Sequence, residues 1–189
     1  MWWQYVPNVL TLSRFPLGAL YWYFHIRGHS GVALVCAYLA CLTDYFDGYL
    51  ARRWDCVSNF GQALDPYADK WAYWSILIVS FASSGVHTAL YPFLIVMLMY
   101  EVGLGLARFV FGRQEIKTNV FAKKRAALVM ILGLTLYTGF VLGQKQLLYA
   151  QQAAILIGYA AIWYAVRSVV TYTRDYGGAA YIPRPLHLL

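Results

Sequence analysis

The feature that most constrains this chain is its division into long apolar stretches that carry no charge. Lys, Arg, Asp and Glu are absent from residues 28–43, 71–100, 126–144 and 146–166. A helix that crosses a hydrocarbon core of about 30 Å needs roughly 20 mostly apolar residues, so such stretches predict membrane-spanning helices. The 71–100 stretch is too long for one span, and Ser-Ser-Gly-Val-His at 83–87 interrupts it. We therefore expect two helices joined by a turn there.

Composition agrees with this prediction and excludes two other classes of protein. Of the 189 residues, 61% are hydrophobic and 12% are charged, whereas soluble domains have about 45–50% apolar and about 25% charged residues. Disordered chains are poor in aromatic residues, and this chain has 18%. We predict an all-α integral membrane protein with a single membrane domain over 1–175 and a short C-terminal tail over 176–189. Its six transmembrane helices are expected near 8–27, 31–53, 60–83, 87–112, 119–142 and 147–174.

The distribution of basic residues predicts the orientation of these helices. With six spans both termini lie on one side of the membrane, and that side receives all but Arg27 and Lys145 of the 15 Lys and Arg residues. Cytoplasmic loops carry an excess of Lys and Arg, so both termini are expected in the cytoplasm. Trp2, Trp3 and Tyr5 fit an N-terminal interfacial segment, because Trp and Tyr concentrate where membrane meets water.

Acidic residues number only eight, and five of them lie between positions 44 and 69. Asp44 and Asp47 are three residues apart, and Asp65 and Asp69 are four apart, so each pair shares one face of its helix. The link between the two helices is short, which predicts antiparallel neighbours whose carboxylates converge near the cytoplasmic boundary. Clustered like charges repel, so we expect a cation among them. Oxygen ligands without nearby His or Cys favour Mg²⁺, Mn²⁺ or Ca²⁺ over Zn²⁺.

The same residues resemble the signature of the CDP-alcohol phosphatidyltransferase family. All eight defining positions are present in Asp44-x₂-Asp47-Gly48-x₂-Ala51-Arg52-x₈-Gly61-x₃-Asp65-x₃-Asp69. The resemblance implies that Asp44, Asp47 and Asp65 bind Mg²⁺ or Mn²⁺, two ions in all, which hold the diphosphate of a CDP-linked lipid. It also implies that Asp69 is the general base and a further metal ligand. The residues implied to line the CDP pocket are Gly48, Ala51, Arg52, Gly61, Asn8 and Thr11.

Two further segments look like the phosphatidylglycerophosphate synthase and cardiolipin synthase branches of this family: residues 7–14, Pro-Asn-Val-Leu-Thr-Leu-Ser-Arg, and residues 65–70, Asp-Pro-Tyr-Ala-Asp-Lys. The resemblance implies metal-dependent transfer of a phosphatidyl group from CDP-diacylglycerol to a hydroxyl acceptor, with release of CMP. Glycerol 3-phosphate is the expected acceptor, and phosphatidylglycerol is the alternative. A homodimer in a bacterial inner membrane, surrounded by lipid and with its active site facing the cytoplasm, is also implied.

Basic residues of the fourth and fifth helices are candidates to bind a phosphate-bearing acceptor, since Arg and Lys recognise phosphate: Arg108, Lys123, Lys124 and Arg125. The alternative is an ordinary cytoplasmic cluster that contacts anionic lipid headgroups. The chain departs from the phosphatidylglycerophosphate synthase pattern in two places. Tyr100 stands where an Arg is usual, and residues 122–126 read Ala-Lys-Lys-Arg-Ala instead of Gly-Lys-x-Lys-Thr. One expected phosphate ligand is therefore missing.

Other classes of function explain the acidic residues less well. A divalent-cation or proton-coupled transporter also places carboxylates within the membrane, but it predicts acidic residues spread across the membrane depth. Here they collect at the cytoplasmic end. Solvated helix ends, or a non-catalytic membrane scaffold, leave the two matched carboxylate faces unexplained. A nucleic-acid partner is not expected, because it requires an exposed basic face with interleaved aromatic residues.

Overall fold

The computed structural model describes residues 6–54, 59–85, 87–111 and 119–176, with backbone alone for helix residues 51–52, 59–63, 66, 107–111 and 175–176. Nearly all of this part of the chain is helical, and six α-helices are present there, as predicted. They are α1 Val6–Ile26, α2 Ser30–Arg53, α3 Asn59–Ser84, α4 Tyr91–Phe111, α5 Val120–Leu142 and α6 Gln144–Tyr176. A 3₁₀ turn, Thr88–Leu90, precedes α4. The predicted interfacial segment and all but the first residue of the predicted tail lie outside the described residues.

Glycines in the left-handed region lie in three of the gaps between the predicted helices. Gly28, between α1 and α2, has a φ of 78°, Gly85, after α3, has a φ of 69°, and Gly143, between α5 and α6, has a φ of 108°. Residues with a Cβ rarely adopt such angles. The turn at Gly143 is shorter than predicted, because the backbone N–H of Leu147 donates to the carbonyl of Gly143 over 2.9 Å. This bond belongs to a helix that begins at Gln144, three residues before the predicted start.

Four helical segments are long and apolar enough to cross a bilayer: Ser30–Leu50, Thr88–Leu106, Val120–Leu142 and Gln144–Arg174. The helices α1 and α3, with 21 and 26 residues, are also long enough. However, α1 contains Arg14, and α3 contains two aspartates and a lysine in its first half. The structure thus supports an all-α membrane protein with four candidate spans in its described part, and the count of six spans stays a prediction.

Large apolar side chains cover the outside of these helices. Met99 is 69% exposed and Leu156 is 74% exposed. Soluble monomers rarely expose extended apolar surface, whereas lipid solvates it. The outward faces are therefore those expected of helices in a bilayer.

The helices form two compact units, of which the first contains Met1–Val86 and Met130–Ala154. In this unit α1 packs on both α2 and α3, which contact each other much less. A cluster that includes Tyr21, Ala37 and Tyr137 forms its core. The sequence analysis expected α2 and α3 to face each other directly, whereas in the structure α1 lies along both of them.

The second unit contains His87–Val129 and Ile155–Leu189. Asn119 caps the start of α5, where its Oδ1 accepts the backbone N–H of Ala122 over 2.7 Å. The Asn119 amide also donates to the carbonyl of Ser168 in α6 over 3.1 Å. The hydroxyls of Ser168 and Tyr100 are 2.9 Å apart. This buried polar network connects α4, α5 and α6, and satisfied networks of this kind fix how elements pack.

Candidate active site

Four carboxylates converge on one buried arginine in the first unit. Asp44 and Asp47 come from α2, Asp65 and Asp69 from α3, and Arg14 from α1. Arg14 Nη1 lies 3.0 Å from Asp44 Oδ1 and donates to Asp69. Arg14 Nη2 lies 2.9 Å from Asp65 Oδ1 and donates to Asp47. The structure therefore brings the four predicted acidic residues together, around a residue that was not among the predicted site residues.

Small residues allow the helix backbones to come this close. Ala40 in α2 and Ala68 and Ala72 in α3 are at most 2% exposed. Small side chains at helix contacts let backbones approach, which is the usual packing device in membrane helices. The helical spacing of each aspartate pair then turns both carboxylates of that pair toward α1.

Thr11, on α1, adds a hydroxyl to the centre. Its Oγ1 lies 2.8 Å from Asp47 Oδ2 and 3.1 Å from the carbonyl of Pro7. Thr11 was predicted from the resemblance to help bind the CDP group, and the structure places it directly against a metal-site candidate. Asn8, three residues earlier and half-buried, shares that helix face.

The centre has a buried floor and an open side. Arg14 is 0% exposed and the Asp47 side chain is 7% exposed. The side chains of Asp44, Asp65 and Asp69 are instead exposed by 42% to 48%. A ligand can therefore reach three of the four carboxylates from outside, while the guanidinium lies beneath them.

The donor set fits a divalent cation. Asp44, Asp47 and Asp65 each offer a carboxylate oxygen, and these oxygens lie within 4.8 Å of one another. All are oxygen ligands, which hard cations such as Mg²⁺ and Mn²⁺ prefer. The Arg14 guanidinium shows that the centre accepts a cation, but one positive charge cannot balance four carboxylates when all are ionised. The residues present therefore suit the family's use of divalent metal ions.

Other predicted CDP-pocket residues are only partly described. Gly48 follows Asp47 on α2 and is half-buried. Ala51 and Arg52 belong to the last turn of α2, and Gly61 to the first turn of α3. The side chains of Ala51 and Arg52 and the surroundings of Gly61 lie outside the described residues.

A second charged pair lies in the second unit. Arg125 is buried, and its Nη2 lies 2.8 Å from Glu101 Oε1. Its guanidinium carbon lies 4.1 Å from the centroid of the Tyr100 ring, and Nη1 lies 3.4 Å from the Met97 sulfur. Arg125 Nε has no hydrogen-bond partner. Among the described residues, Arg125 thus pairs with the carboxylate of Glu101.

The three described residues among the predicted acceptor ligands differ in burial. Lys123 and Lys124 are exposed, and the Lys124 ammonium lies 5.8 Å from the centroid of the Tyr164 ring. Arg125 alone of these three is buried. The side chain of Arg108 lies outside the described residues.

Arg14 is the residue that the sequence analysis missed. It was counted there among the basic residues of the cytoplasmic side and quoted in the segment 7–14 without a role, although it falls inside the predicted first span. An arginine within an apolar span is expensive and usually pairs with an acidic group. That cost could have indicated, from the sequence alone, that Arg14 pairs with the carboxylates of α2 and α3.

The chain is similar in sequence to several known proteins. Similar proteins include the CDP-diacylglycerol–glycerol-3-phosphate 3-phosphatidyltransferases of Cereibacter sphaeroides and Rickettsia bellii. The first is 34% identical over 71% of this chain and 63% of its own length. The second is 30% identical over 85% of this chain and 86% of its own length. The enzyme of the same name from Escherichia coli is 41% identical over 34% of this chain and 37% of its own length.

No solved structure matches the chain significantly. The family model described as CDP-alcohol phosphatidyltransferase matches residues 4–171, nearly the whole chain. The resemblance stated from the eight signature positions is therefore confirmed. The chain belongs to the CDP-alcohol phosphatidyltransferase family.

Proposed function

We propose that this protein transfers the phosphatidyl group of CDP-diacylglycerol to glycerol 3-phosphate and releases CMP. The observation that carries the proposal is the convergence of Asp44, Asp47, Asp65 and Asp69 at a centre that is open on one side. Family membership supports the reaction type. The names of the relatives support glycerol 3-phosphate as the acceptor.

We propose Mg²⁺ or Mn²⁺ as the cofactor, with Asp44, Asp47 and Asp65 as ligands of a first ion. A second ion, with Asp69 as an additional ligand, would complete the neutralisation of the centre. When bound, such ions link the anionic diphosphate to the carboxylates and stabilise the charge that develops on the departing CMP.

Asp69 is the proposed general base. Its carboxylate is half-exposed on the open side of the centre, where it can take the proton of the acceptor hydroxyl. The hydroxyl oxygen then bonds to the phosphorus on the lipid side of the diphosphate. The bond from that phosphorus to the CMP oxygen breaks, and its electron pair leaves with CMP. The CDP group is proposed to lie against Asn8, Thr11, Gly48, Ala51, Arg52 and Gly61.

The acceptor phosphate is proposed to bind the basic residues Arg108, Lys123, Lys124 and Arg125. Arg125 is the strongest of the four, because it is buried and its Nε has no hydrogen-bond partner. An anion beside such a guanidinium gains a charge-assisted hydrogen bond. Lys123 and Lys124 are exposed, so they are also placed to contact lipid headgroups.

The surroundings of the protein follow from the same proposal. We propose six membrane spans, with α1 and α3 crossing alongside the four more apolar helices. Both termini and the carboxylate centre then face the cytoplasm, in a bacterial inner membrane. The homodimeric state is likewise a proposal, and it is supported by the family alone.

An acceptor panel tests the proposed function. Purified protein in detergent receives CDP-diacylglycerol and Mg²⁺ with glycerol 3-phosphate, phosphatidylglycerol, inositol phosphate or serine, and CMP release is measured. We expect release with glycerol 3-phosphate. Release with phosphatidylglycerol alone would instead indicate cardiolipin synthesis, and no release with any acceptor would contradict the enzymatic proposal.

The Asp69→Asn variant tests the proposed base, since the amide keeps the size of the side chain but cannot take a proton. It is expected to release no CMP above background. Asp175→Asn, near the end of α6, removes the same charge elsewhere and is expected to keep full activity. Undiminished release by Asp69→Asn would exclude Asp69 as the base.

A further inference from the structure

Arg14 is held entirely by the carboxylates that a metal ion needs. The terminal nitrogens of its guanidinium contact Asp44, Asp47, Asp65 and Asp69, and Nε has no hydrogen-bond partner. The group is completely buried, and among the described residues its ion pairs are all with these four aspartates. Asp44, Asp47 and Asp65 are also the three residues whose oxygens lie close enough together to hold an ion.

A guanidinium and a divalent ion that bind the same carboxylate oxygen repel each other, because both are positively charged. A guanidinium nitrogen sits about 3 Å from its carboxylate partner, and Mg²⁺ or Mn²⁺ requires its oxygen ligands at roughly 2.0–2.2 Å. If both cations bound one oxygen at those distances, the divalent ion would lie next to the positively charged guanidinium. The site is partly buried, so the repulsion between them would be only weakly screened.

We propose that Arg14 and the divalent ion compete for the aspartate centre. Without metal, the guanidinium is the counter-ion that holds the carboxylates of α2 and α3 together on α1. Metal binding displaces the guanidinium from the half-exposed carboxylates on the open side. The metal-free protein thus keeps its helices assembled, at the cost of a lower affinity for the ion. This inference rests on the proposed metal site. It adds Arg14 as the residue that sets the affinity of that site for the ion.

Removal of one partner from a buried ion cluster leaves the remaining charges uncompensated, which is strongly destabilising. The Arg14→Gln variant is therefore expected to unfold at a lower temperature than the wild type in EDTA. Addition of Mn²⁺ should raise its melting temperature more than that of the wild type. Arg14→Lys keeps the charge but cannot contact two pairs of carboxylates. Its melting temperature in EDTA should therefore lie between those of Arg14→Gln and the wild type.

Mn²⁺ binding to the full chain in detergent, measured by electron paramagnetic resonance, tests the competition directly. Arg14→Gln is expected to bind Mn²⁺ tighter than the wild type by about tenfold or more, since a competing charge-assisted interaction is gone. Arg27→Gln, which removes an exposed arginine from the other end of α1, should bind as the wild type does. The tighter binding should be lost when Asp65→Asn is added to Arg14→Gln.

The outcomes separate this inference from the function on which it rests. Wild-type binding of Mn²⁺ with equal or weaker binding by Arg14→Gln and Arg14→Lys would overturn the competition and leave the metal site in place. Absence of Mn²⁺ binding in all variants would overturn the competition and the proposed metal site together. If Arg14→Gln cannot be purified in EDTA, purification in Mn²⁺ and the Arg14→Lys variant provide the same comparison.

Discussion

At the scale of single residues, the site combines positions that the sequence predicts with one that it does not. The four aspartates were predicted to converge, because their spacing fixes which face of each helix they occupy, and the structure brings them together. Arg14 could not be paired with them from spacing, since it is 30 residues before Asp44 and lies on another helix. Contacts of that kind depend on tertiary packing. The cost of an arginine in an apolar span gave the only hint.

The Arg125–Glu101 pair gives a prediction at this scale. Glu101→Gln removes the carboxylate that pairs with the buried guanidinium of Arg125, which is expected to lower the stability by about 3–5 kcal/mol. Thermal unfolding in detergent measures the loss. The double variant Glu101→Gln/Arg125→Met removes both charges and should recover much of the stability. A double variant no more stable than Glu101→Gln would contradict this account of the pair.

At the scale of elements, charge-free stretches and glycine turns were sufficient to predict six helices. Gly28 lies in the gap predicted between the first two helices, and Gly85 lies in the segment 83–87 that was predicted to interrupt a long apolar stretch. The start of α6 was misplaced, because polar residues at 144–146 look like a turn although their backbone can be helical. The position of α1 along both α2 and α3 was also not predictable, because the short link between α2 and α3 suggested direct contact instead.

Gly139 gives a prediction for the α5–α6 hairpin. A Cβ at this position would lie 3.1 Å from Leu147 Cα and 3.2 Å from the carbonyl oxygen of Gln146. Backbone atoms cannot move aside cheaply, so Gly139→Ala should destabilise the protein by about 1–3 kcal/mol, which is typical of overpacking.

The control for this variant is Gly105→Ala in α4, where no atom of the described residues lies within 4 Å of an added Cβ. A helical Gly→Ala change in open space should gain about 0.5–1 kcal/mol. The two variants should therefore shift the melting temperature in opposite directions, and equal shifts would argue against close packing at Gly139.

At the scale of the whole molecule, orientation in the membrane is a proposal that rests on charge. Thirteen of the 15 Lys and Arg residues fall on the side assigned to the cytoplasm. In a variant without Cys36, Cys41 and Cys56, a cysteine at position 145 should react in intact cells with a maleimide that cannot cross the inner membrane. A cysteine at position 124 should react only after the membrane is opened. The reverse pattern would invert the proposed topology.

The central claim is that the aspartate centre uses a divalent ion to transfer a phosphatidyl group to glycerol 3-phosphate. The most direct test follows labelled glycerol 3-phosphate into lipid and CMP into solution, with purified wild-type protein in Mg²⁺ or in EDTA. We predict equal amounts of labelled lipid and CMP in Mg²⁺, and neither product in EDTA or with Asp65→Asn. Lipid formation that continues unchanged in EDTA, or CMP released without labelled lipid, would contradict the account.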